Sequence, residues 1–214
     1  MVFTADHGED LYAHHFHFFH VPSVYDASLR IPLIFTMPGR LPGGRVHDTI
    51  VSILDVAPTI CGLLHLSCRR LFPGHHLFSP DPDDGTLAAI SEMRGQIFTI
   101  RTERWRYIWN PDCIHPLTMG GGTYPIACAE LYDMRATSQE KVNVLHEYPP
   151  VAETLRQRLI RWIRQHLRPG LHPSLSPETL EELRGLGYIG QRLTPVPHGI
   201  TSEIPGSVYP QWEH

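Results

Sequence analysis

Two short apolar runs near the start of the chain have the length and composition of buried strands. Residues 2–5 and 29–37 are mostly apolar, and Pro38 and Gly39 end the second run. Apolar runs of this length that Gly and Pro terminate are typical of strands inside a sheet. The pattern therefore predicts two strands in the interior of an α/β sheet, with a short helix over residues 25–29 between them.

Two longer segments, residues 52–64 and 151–167, repeat their apolar residues with the period of an α-helix. Such a repeat places the apolar side chains on one face of the helix, where they pack against the rest of the fold. The first face is formed by Ile53, Val56, Ile60, Leu63 and Leu64, and the second by Val151, Leu155, Leu159, Trp162, Ile163 and Leu167.

The region between these helices is rich in β-branched and aromatic residues. Residues 87–91, 96–102 and 105–109 are separated by short polar connections, which predicts an antiparallel sheet, and residues 130–133 supply a further strand. Residues 73–85 are rich in Pro, Asp and Gly and predict a loop. We place a subdomain boundary near the end of that loop.

Composition and charge exclude several classes of protein. The formal net charge of −4 over 214 residues argues against a nucleic-acid partner, because phosphate binding needs clustered Lys and Arg. The sequence has no run of the roughly 18 apolar residues that cross a bilayer, and no charged start followed by an apolar signal core. Spacing leaves the state of the four cysteines open: Cys61 with Cys68, or Cys113 with Cys128, could form a disulfide in an oxidising compartment, and free thiols are the alternative.

The chemistry is concentrated directly after the first predicted strand, in Asp6-His7-Gly8-Glu9. Ligands and ions collect at the carboxyl ends of strands in α/β sheets. Asp6 offers an anionic oxygen and His7 a neutral nitrogen, and both are metal ligands in proteins. Gly8 is expected to let the backbone turn sharply without a Cβ clash. The alternative is that Asp6 and His7 are ordinary residues of a turn.

This tetrapeptide begins a longer block that resembles the sulfatase family of the alkaline phosphatase superfamily. The block contains Thr4-Ala5-Asp6-His7-Gly8-Glu9-Asp10-Leu11, His14, His20, Ser23-Val24-Tyr25-Asp26, Leu29-Arg30-Ile31-Pro32-Leu33-Ile34 and Pro38-Gly39. Further matches are Asp55-Val56-Ala57-Pro58-Thr59-Ile60, Glu130-Leu131-Tyr132-Asp133 with Glu140 and Asn143-Val144, and residues 175–188. The resemblance runs through most of positions 2 to 190.

The residue pattern and the resemblance together predict an α/β fold in three parts. Residues 1–86 are expected to form the carboxy-terminal portion of a catalytic domain, with a partial alkaline-phosphatase-like sheet and helices. Residues 87–168 are expected to form a small α+β subdomain, in which the antiparallel sheet packs on a C-terminal amphipathic helix. Residues 169–214 are expected to form a tail with a short helix over 177–185, followed by extended chain.

The resemblance also assigns a metal site to Asp6 and His7. They correspond to half of a divalent-cation site, and the other half is a pair of acidic residues that this sequence does not contain. Calcium is the expected ion, because members of the family usually bind calcium. Manganese or zinc is the alternative, because calcium prefers oxygen ligands and His7 supplies nitrogen.

Two histidines match catalytic or substrate-contacting positions of the family. His20 corresponds to a residue that contacts the ester and protonates the leaving oxygen, and an imidazole has a suitable pKa for this role. His14 corresponds to a substrate contact. The alternatives are that they are hydrogen-bonded loop residues, or that His14, His15, His17 and His20 form a separate zinc or nickel tract.

The nucleophile of the family is not in this sequence. No Cys or Ser among the 214 residues has Pro two positions later and Arg two positions after that. We therefore predict a portion of a sulfuric ester hydrolase that is nearly inactive alone and that belongs to an enzyme acting on a small-molecule or glycan sulfate ester. The alternatives are a phosphodiesterase or phosphonate monoester hydrolase of the same superfamily, and a non-catalytic binding module. Members of the family are often periplasmic, secreted or lysosomal, and the sequence leaves the compartment and the oligomeric state open.

Overall fold

The computed structural model describes residues 1–11, 18–19, 23–67, 71–79, 88–93, 96–115, 126–136 and 140–166. The strands are β1 (Val2–Thr4), β2 (Asp10–Leu11), β3 (Phe18–Phe19), β4 (Leu33–Phe35), β5 (Ala89–Met93), β6 (Ile97–Arg101), β7 (Trp105–Trp109) and β8 (Ala129–Asp133). The helices are α1 (Asp26–Leu29), α2 (Val56–Leu63) and α3 (Pro149–His166), and a 3₁₀ turn at Ile53–Asp55 precedes α2. The chain forms two compact units, residues 1–159 and 160–214.

The mixed α/β class and the antiparallel sheet predicted from the sequence are confirmed. Strands β5, β6, β7 and β8 pair in this order, and every neighbouring pair is antiparallel. The strands predicted for this sheet agree with β5 to β8 within two residues at each end. The division at residue 86 falls among residues that the structure leaves undescribed, as do the helix over 177–185 and the tail, and these stay predictions.

The sheet carries polar residues on one face and apolar residues on the other. Cross-strand partners share a face, and residues two apart along a strand also share it. One face, here called the polar face, holds Ile97, Thr99, Arg101, Arg106, Ile108, Glu130 and Tyr132. The opposite face holds Phe98, Ile100, Tyr107, Trp109 and Leu131. Both faces are buried, so each polar side chain on the polar face needs a partner.

The first sheet differs from the prediction. β1 and β4 form a two-stranded antiparallel pair in which Phe3 lies opposite Ile34, and these two side chains are 54% and 53% exposed. The prediction of buried strands inside a sheet is therefore wrong for the described residues. The apolar side chains of β1 and β4, whose composition suggested burial, are partly exposed to solvent. The predicted strand over 29–37 is also too long, since Leu29 ends α1. A two-stranded ribbon, β2 with β3, was not predicted.

The helix predicted over residues 52–64 begins with a capping box. The Ser52 hydroxyl accepts from the Leu54 N–H at 3.3 Å, and the Asp55 carboxylate accepts from the Ser52 N–H at 2.8 Å. These bonds satisfy amides that have no partner inside the helix. The predicted apolar face is wrong at Ile53 and Leu64, which are about half exposed, whereas Pro58, Thr59 and Cys61 are buried.

The segment 71–79 explains which face of α2 is buried. Asp55 accepts from the His75 N–H at 2.8 Å, and Thr59 accepts from the Leu77 N–H at 3.0 Å. These hydrogen bonds hold the segment against the polar side of the helix start. The buried side of the helix is therefore the one that carries Asp55 and Thr59, and not the apolar face predicted from the sequence.

Replacing Gly74 by Ala is expected to lower the free energy of unfolding by about 1–3 kcal/mol, because the new Cβ overpacks a tight contact. That Cβ would lie 2.1 Å from the Leu54 carbonyl oxygen, and backbone does not move aside cheaply. Gly43→Ala is the matched control, since no atom lies within 4 Å of its Cβ. Urea unfolding followed by tryptophan fluorescence measures both. Equal stability of the two variants would contradict the packing at Gly74.

The loop after β7 is held by one side chain and a disulfide. Asn110 is fully buried, donates to Ile114 O and Ile126 O at 2.9 and 3.3 Å, and accepts from the Ile114 N–H at 3.0 Å. Cys113 and Cys128 form a disulfide, so the free-thiol alternative is wrong for this pair. Together they fix the crossing from β7 to β8.

Among the residues that the structure describes, no helix is both long and apolar enough to span a bilayer.

Candidate functional site

Asp6 and His7 lie side by side just beyond β1. The His7 Nε2 atom is 3.7 Å from Asp6 Oδ2, and the His7 N–H donates to Asp6 Oδ1 at 3.0 Å. The Asp6 side chain is 77% exposed and that of His7 is 36% exposed. Both side chains are therefore accessible to a solute from water.

The hydrogen bond made by the His7 ring decides which ring nitrogen carries the proton. His7 Nδ1 lies 2.9 Å from Gly8 O. A carbonyl oxygen only accepts, so Nδ1 carries the proton, and in the neutral ring the lone pair is on Nε2. Metal-binding histidines have this arrangement, in which one ring N–H is held by a carbonyl or carboxylate and the other nitrogen binds the ion.

The donor pair fits one divalent cation. Two atoms that each bind an ion at about 2.1 Å are at most about 4.2 Å apart, and calcium with its longer bonds allows more. The 3.7 Å between Asp6 Oδ2 and His7 Nε2 meets this condition. Among the described residues there is no group of three or more possible ligands, so these two supply part of a coordination shell.

The two predicted catalytic histidines, His14 and His20, lie outside the described residues, and their roles stay predictions. The next described segment along the chain begins at Ser23. Ser23, Val24 and Tyr25 are buried and lead directly into α1.

Gly8 packs against α1 at a distance that only glycine permits. Its N–H donates to Ser28 O at 2.7 Å, and a Cβ at this position would lie 2.4 Å from Ala27 O. Glycine is therefore required at this position by contact with α1, whereas the sequence predicted a sharp backbone turn. The loop that carries Asp6 and His7 is thereby joined to α1.

A buried ion cluster fixes Asp26, the first residue of α1. Arg106, on the polar face of the sheet, donates to the Asp26 carboxylate, and its Nε lies 2.5 Å from Glu140 Oε1. Glu140 Oε2 accepts from the Asp26 N–H at 2.8 Å. Arg101 Nε is 4.0 Å from Asp26 Oδ2. Arg106 is thus the main partner of Asp26, whereas Arg30 is exposed.

The pKa of Glu140 reflects this burial. Desolvation raises it from 4.5 to about 7, the nearby Asp26 carboxylate also raises it, and the positive charge of Arg106 opposes the rise. Removal from water outweighs the ion pair because Glu140 is only 2% exposed.

Tyr25, which precedes α1, is fixed by a second buried acid. The hydroxyls of Tyr25 and Tyr132 donate to Glu130 Oε2 at 2.9 and 2.8 Å, and the Ala127 N–H donates to Oε1 at 2.8 Å. Burial beside this carboxylate raises the pKa of the Tyr132 hydroxyl. Three donors compensate the buried acid, as burial of a charge requires.

Sequence reasoning did not assign Arg106, Glu130 or Glu140 to the site. The available signal was the alternation of polar residues in strands that are otherwise buried. Arg106 alternates with Tyr107, and Glu130 and Tyr132 flank Leu131. Polar residues at every second position of a buried strand indicate a face that holds something polar, here the start of α1.

The comparison with known proteins agrees with this geometry. The sulfatase family model matches residues 1–66, which include Asp6, His7, Gly8 and α1. Arylsulfatase K of the dog, Canis lupus familiaris, is 28% identical over 178 residues, covering 74% of this chain. Over these residues the chain is similar to the sulfatase family. It spans 30% of the length of that relative.

Solved structures share the fold of this chain. A 2-O GAG sulfatase superposes with a TM-score of 0.54 at 23% identity, covering 77% of this chain and 36% of its own. The phosphonate monoester hydrolase of Agrobacterium radiobacter gives the same TM-score at 23% identity, covering 77% of this chain and 35% of its own. At this identity the likeness identifies the alkaline-phosphatase-like fold and does not separate the two chemistries.

Proposed function

We propose that the chain is the part of a sulfuric ester hydrolase that supplies Asp6 and His7 to a divalent-cation site. The observation that carries the proposal is the pairing of Asp6 Oδ2 and His7 Nε2 at 3.7 Å, just beyond β1, inside the region that matches the sulfatase model. When bound, the cation stabilises negative charge on the oxygens of the ester. The chain's own contribution is to hold the two donors and to keep the His7 proton on Nδ1.

Calcium remains the first choice of ion, with manganese or zinc as the alternative. The strong exposure of Asp6 leaves room for further oxygen ligands or water, which calcium requires. His7 Nε2 favours the transition metals. A single oxygen and a single nitrogen give no selectivity by themselves, so the remaining ligands decide the ion.

His20 and His14 complete the proposal as the proton donor to the leaving oxygen and as a substrate contact. They precede Ser23 and Tyr25, which are buried. The substrate class is a sulfate ester of a small molecule or a glycan. The likeness to arylsulfatase K and to a 2-O GAG sulfatase supports this class.

The chain alone is expected to show no turnover of an aryl sulfate above that of buffer containing calcium or manganese. It has no Cys or Ser followed by x-Pro-x-Arg, and loss of the nucleophile removes the covalent step. The measurement is release of the aryl alcohol with each metal, beside His20→Ala. Robust turnover that His20→Ala abolishes would contradict the claim that the nucleophile is absent.

The second candidate is a phosphodiesterase or phosphonate monoester hydrolase, which the likeness to the Agrobacterium enzyme favours as a superfamily relative. A longer chain that also carries the nucleophile segment separates the two in parallel assays. We expect aryl sulfate to be hydrolysed with the higher kcat/KM, and His7→Gln to reduce it. A higher kcat/KM for an aryl phosphodiester would favour the second candidate.

A further inference from the structure

We propose that α1 positions the Asp6–His7 pair for cation binding, and that Tyr25 and Asp26 are the positioning residues that fix α1 to the polar face of the sheet. The inference rests on the proposed function of Asp6 and His7. It assigns a role in that site to residues that touch neither the ion nor the substrate.

The first step is the attachment of α1 to the sheet. Asp26 receives the Arg106 guanidinium, and its N–H donates to Glu140 Oε2 at 2.8 Å. Arg106 also donates to Val24 O at 3.2 Å and to Thr99 Oγ1 at 3.3 Å, so one guanidinium holds both the helix start and the residue before Tyr25. Charged groups fixed by several partners in a buried site have little freedom to move.

The second attachment comes through Tyr25. Its hydroxyl reaches Glu130 Oε2 at 2.9 Å across 105 positions of sequence. Its ring belongs to the apolar cluster that also contains Val24, Ile97, Ile108, Ile126 and Tyr132. The two attachments lie on successive residues and fix both the position and the rotation of α1.

The third step joins α1 to the metal-binding loop. Ser28 O accepts the Gly8 N–H at 2.7 Å, and the Gly8 Cα faces Ala27 so closely that a Cβ would lie 2.4 Å from the Ala27 oxygen. Gly8 O in turn accepts from His7 Nδ1 at 2.9 Å. A shift of α1 therefore moves Gly8, whose carbonyl oxygen orients the His7 ring. The direction in which Nε2 points changes with it.

The amino-terminal side of the loop gives less support. β1 has three residues and pairs with β4 alone among the described strands, and Asp6 is mostly exposed. The positions of Asp6 and His7 are thus set mainly by the contact of their loop with α1. Ligands held within about 0.5 Å of their productive geometry bind more tightly than loose ones.

The matched variants are Tyr25→Phe and Tyr132→Phe in the full chain. Each removes one hydroxyl that donates to the same Glu130 oxygen, and only Tyr25 leads into α1. Amide hydrogen exchange of Gly8 without metal reports the Gly8–Ser28 bond, and Mn²⁺ titration followed by broadening of the His7 NMR signals reports the site. Asp26→Asn, with Asp133→Asn as control, repeats the comparison for the ion cluster.

The expected result is selective. Tyr25→Phe and Asp26→Asn accelerate exchange of the Gly8 amide at least fivefold and weaken Mn²⁺ binding by a similar factor, whereas Tyr132→Phe and Asp133→Asn leave both within twofold. Equal acceleration in all four variants, or none in any, overturns the positioning role. If the wild-type chain binds no Mn²⁺ at His7, the proposed function fails, and the exchange measurement still decides whether α1 controls the loop.

Discussion

Replacing Arg106 by Met is expected to lower the free energy of unfolding by about 3–5 kcal/mol, because it removes the cation from the buried Glu140 carboxylate and the partly buried Asp26 carboxylate. Arg106 is 2% exposed and contacts Asp26, Glu140 and Thr99. Methionine keeps much of the aliphatic volume, so the loss is mainly electrostatic. Urea unfolding followed by the fluorescence of Trp105 and Trp109, in β7, measures it.

The control for this variant is a matched change in an exposed ion pair. Arg135 Nη2 lies 2.5 Å from Glu103 Oε1, with the two side chains 61% and 77% exposed. Water screens such a pair, so Arg135→Met is expected to cost less than about 1 kcal/mol. The same small loss in both variants would show that the buried cluster does not stabilise the fold through Arg106.

Glu140 is expected to make the fold less stable as the pH rises from about 4.5 to about 7. Its pKa is raised in the folded chain to about 7, so between these values the native state holds a proton that the unfolded state has released. Stability falls with pH wherever the native state binds more protons. The slope is at most about 1.4 kcal/mol per pH unit for one group, which gives roughly 2–3 kcal/mol across the window.

Glu140→Gln isolates this contribution. Glutamine keeps a carbonyl that accepts from the Asp26 N–H and does not titrate. The 15 histidines are common to both chains, so their titration cancels in the difference. Urea unfolding at several pH values between 4.5 and 8 is expected to show the stability of the wild type, relative to the variant, falling with pH. A relative stability that rises with pH would show that the pair with Arg106 outweighs burial.

The four-stranded sheet was predictable because its signal is local. β7 has the predicted bounds, since Trp105–Trp109 is aromatic and β-branched and a polar turn precedes it. The interior position expected for β1 was wrong. An apolar run of this length shows that a strand can be buried, but it does not show whether other parts of the fold cover that strand. Phe3 and Ile34 satisfy the pattern of a buried strand and are half exposed.

The donor pair was predictable for the same reason, since Asp6 and His7 are adjacent in sequence and come directly after a strand. The residues that fix them were not, because their contacts span the chain. Asp26 meets Glu140 across 114 positions, and Tyr25 meets Glu130 across 105. A single sequence gives the type of each residue and no direct sign of such pairing. Alternation along β7 and β8 was the available sign of a polar face.

Titration of Mn²⁺ into the chain tests the central claim, that Asp6 and His7 bind one divalent cation, most directly. The NMR signals of His7 report the position of the ion, and competition with calcium reports its class. We predict one ion per chain, broadening centred on His7, and at least tenfold weaker binding in Asp6→Asn and in His7→Gln. The double variant His15→Gln/His17→Gln, which alters the histidine tract alone, should bind as the wild type does. Binding that Asp6→Asn and His7→Gln leave unchanged, or that the tract variant abolishes, would contradict the account.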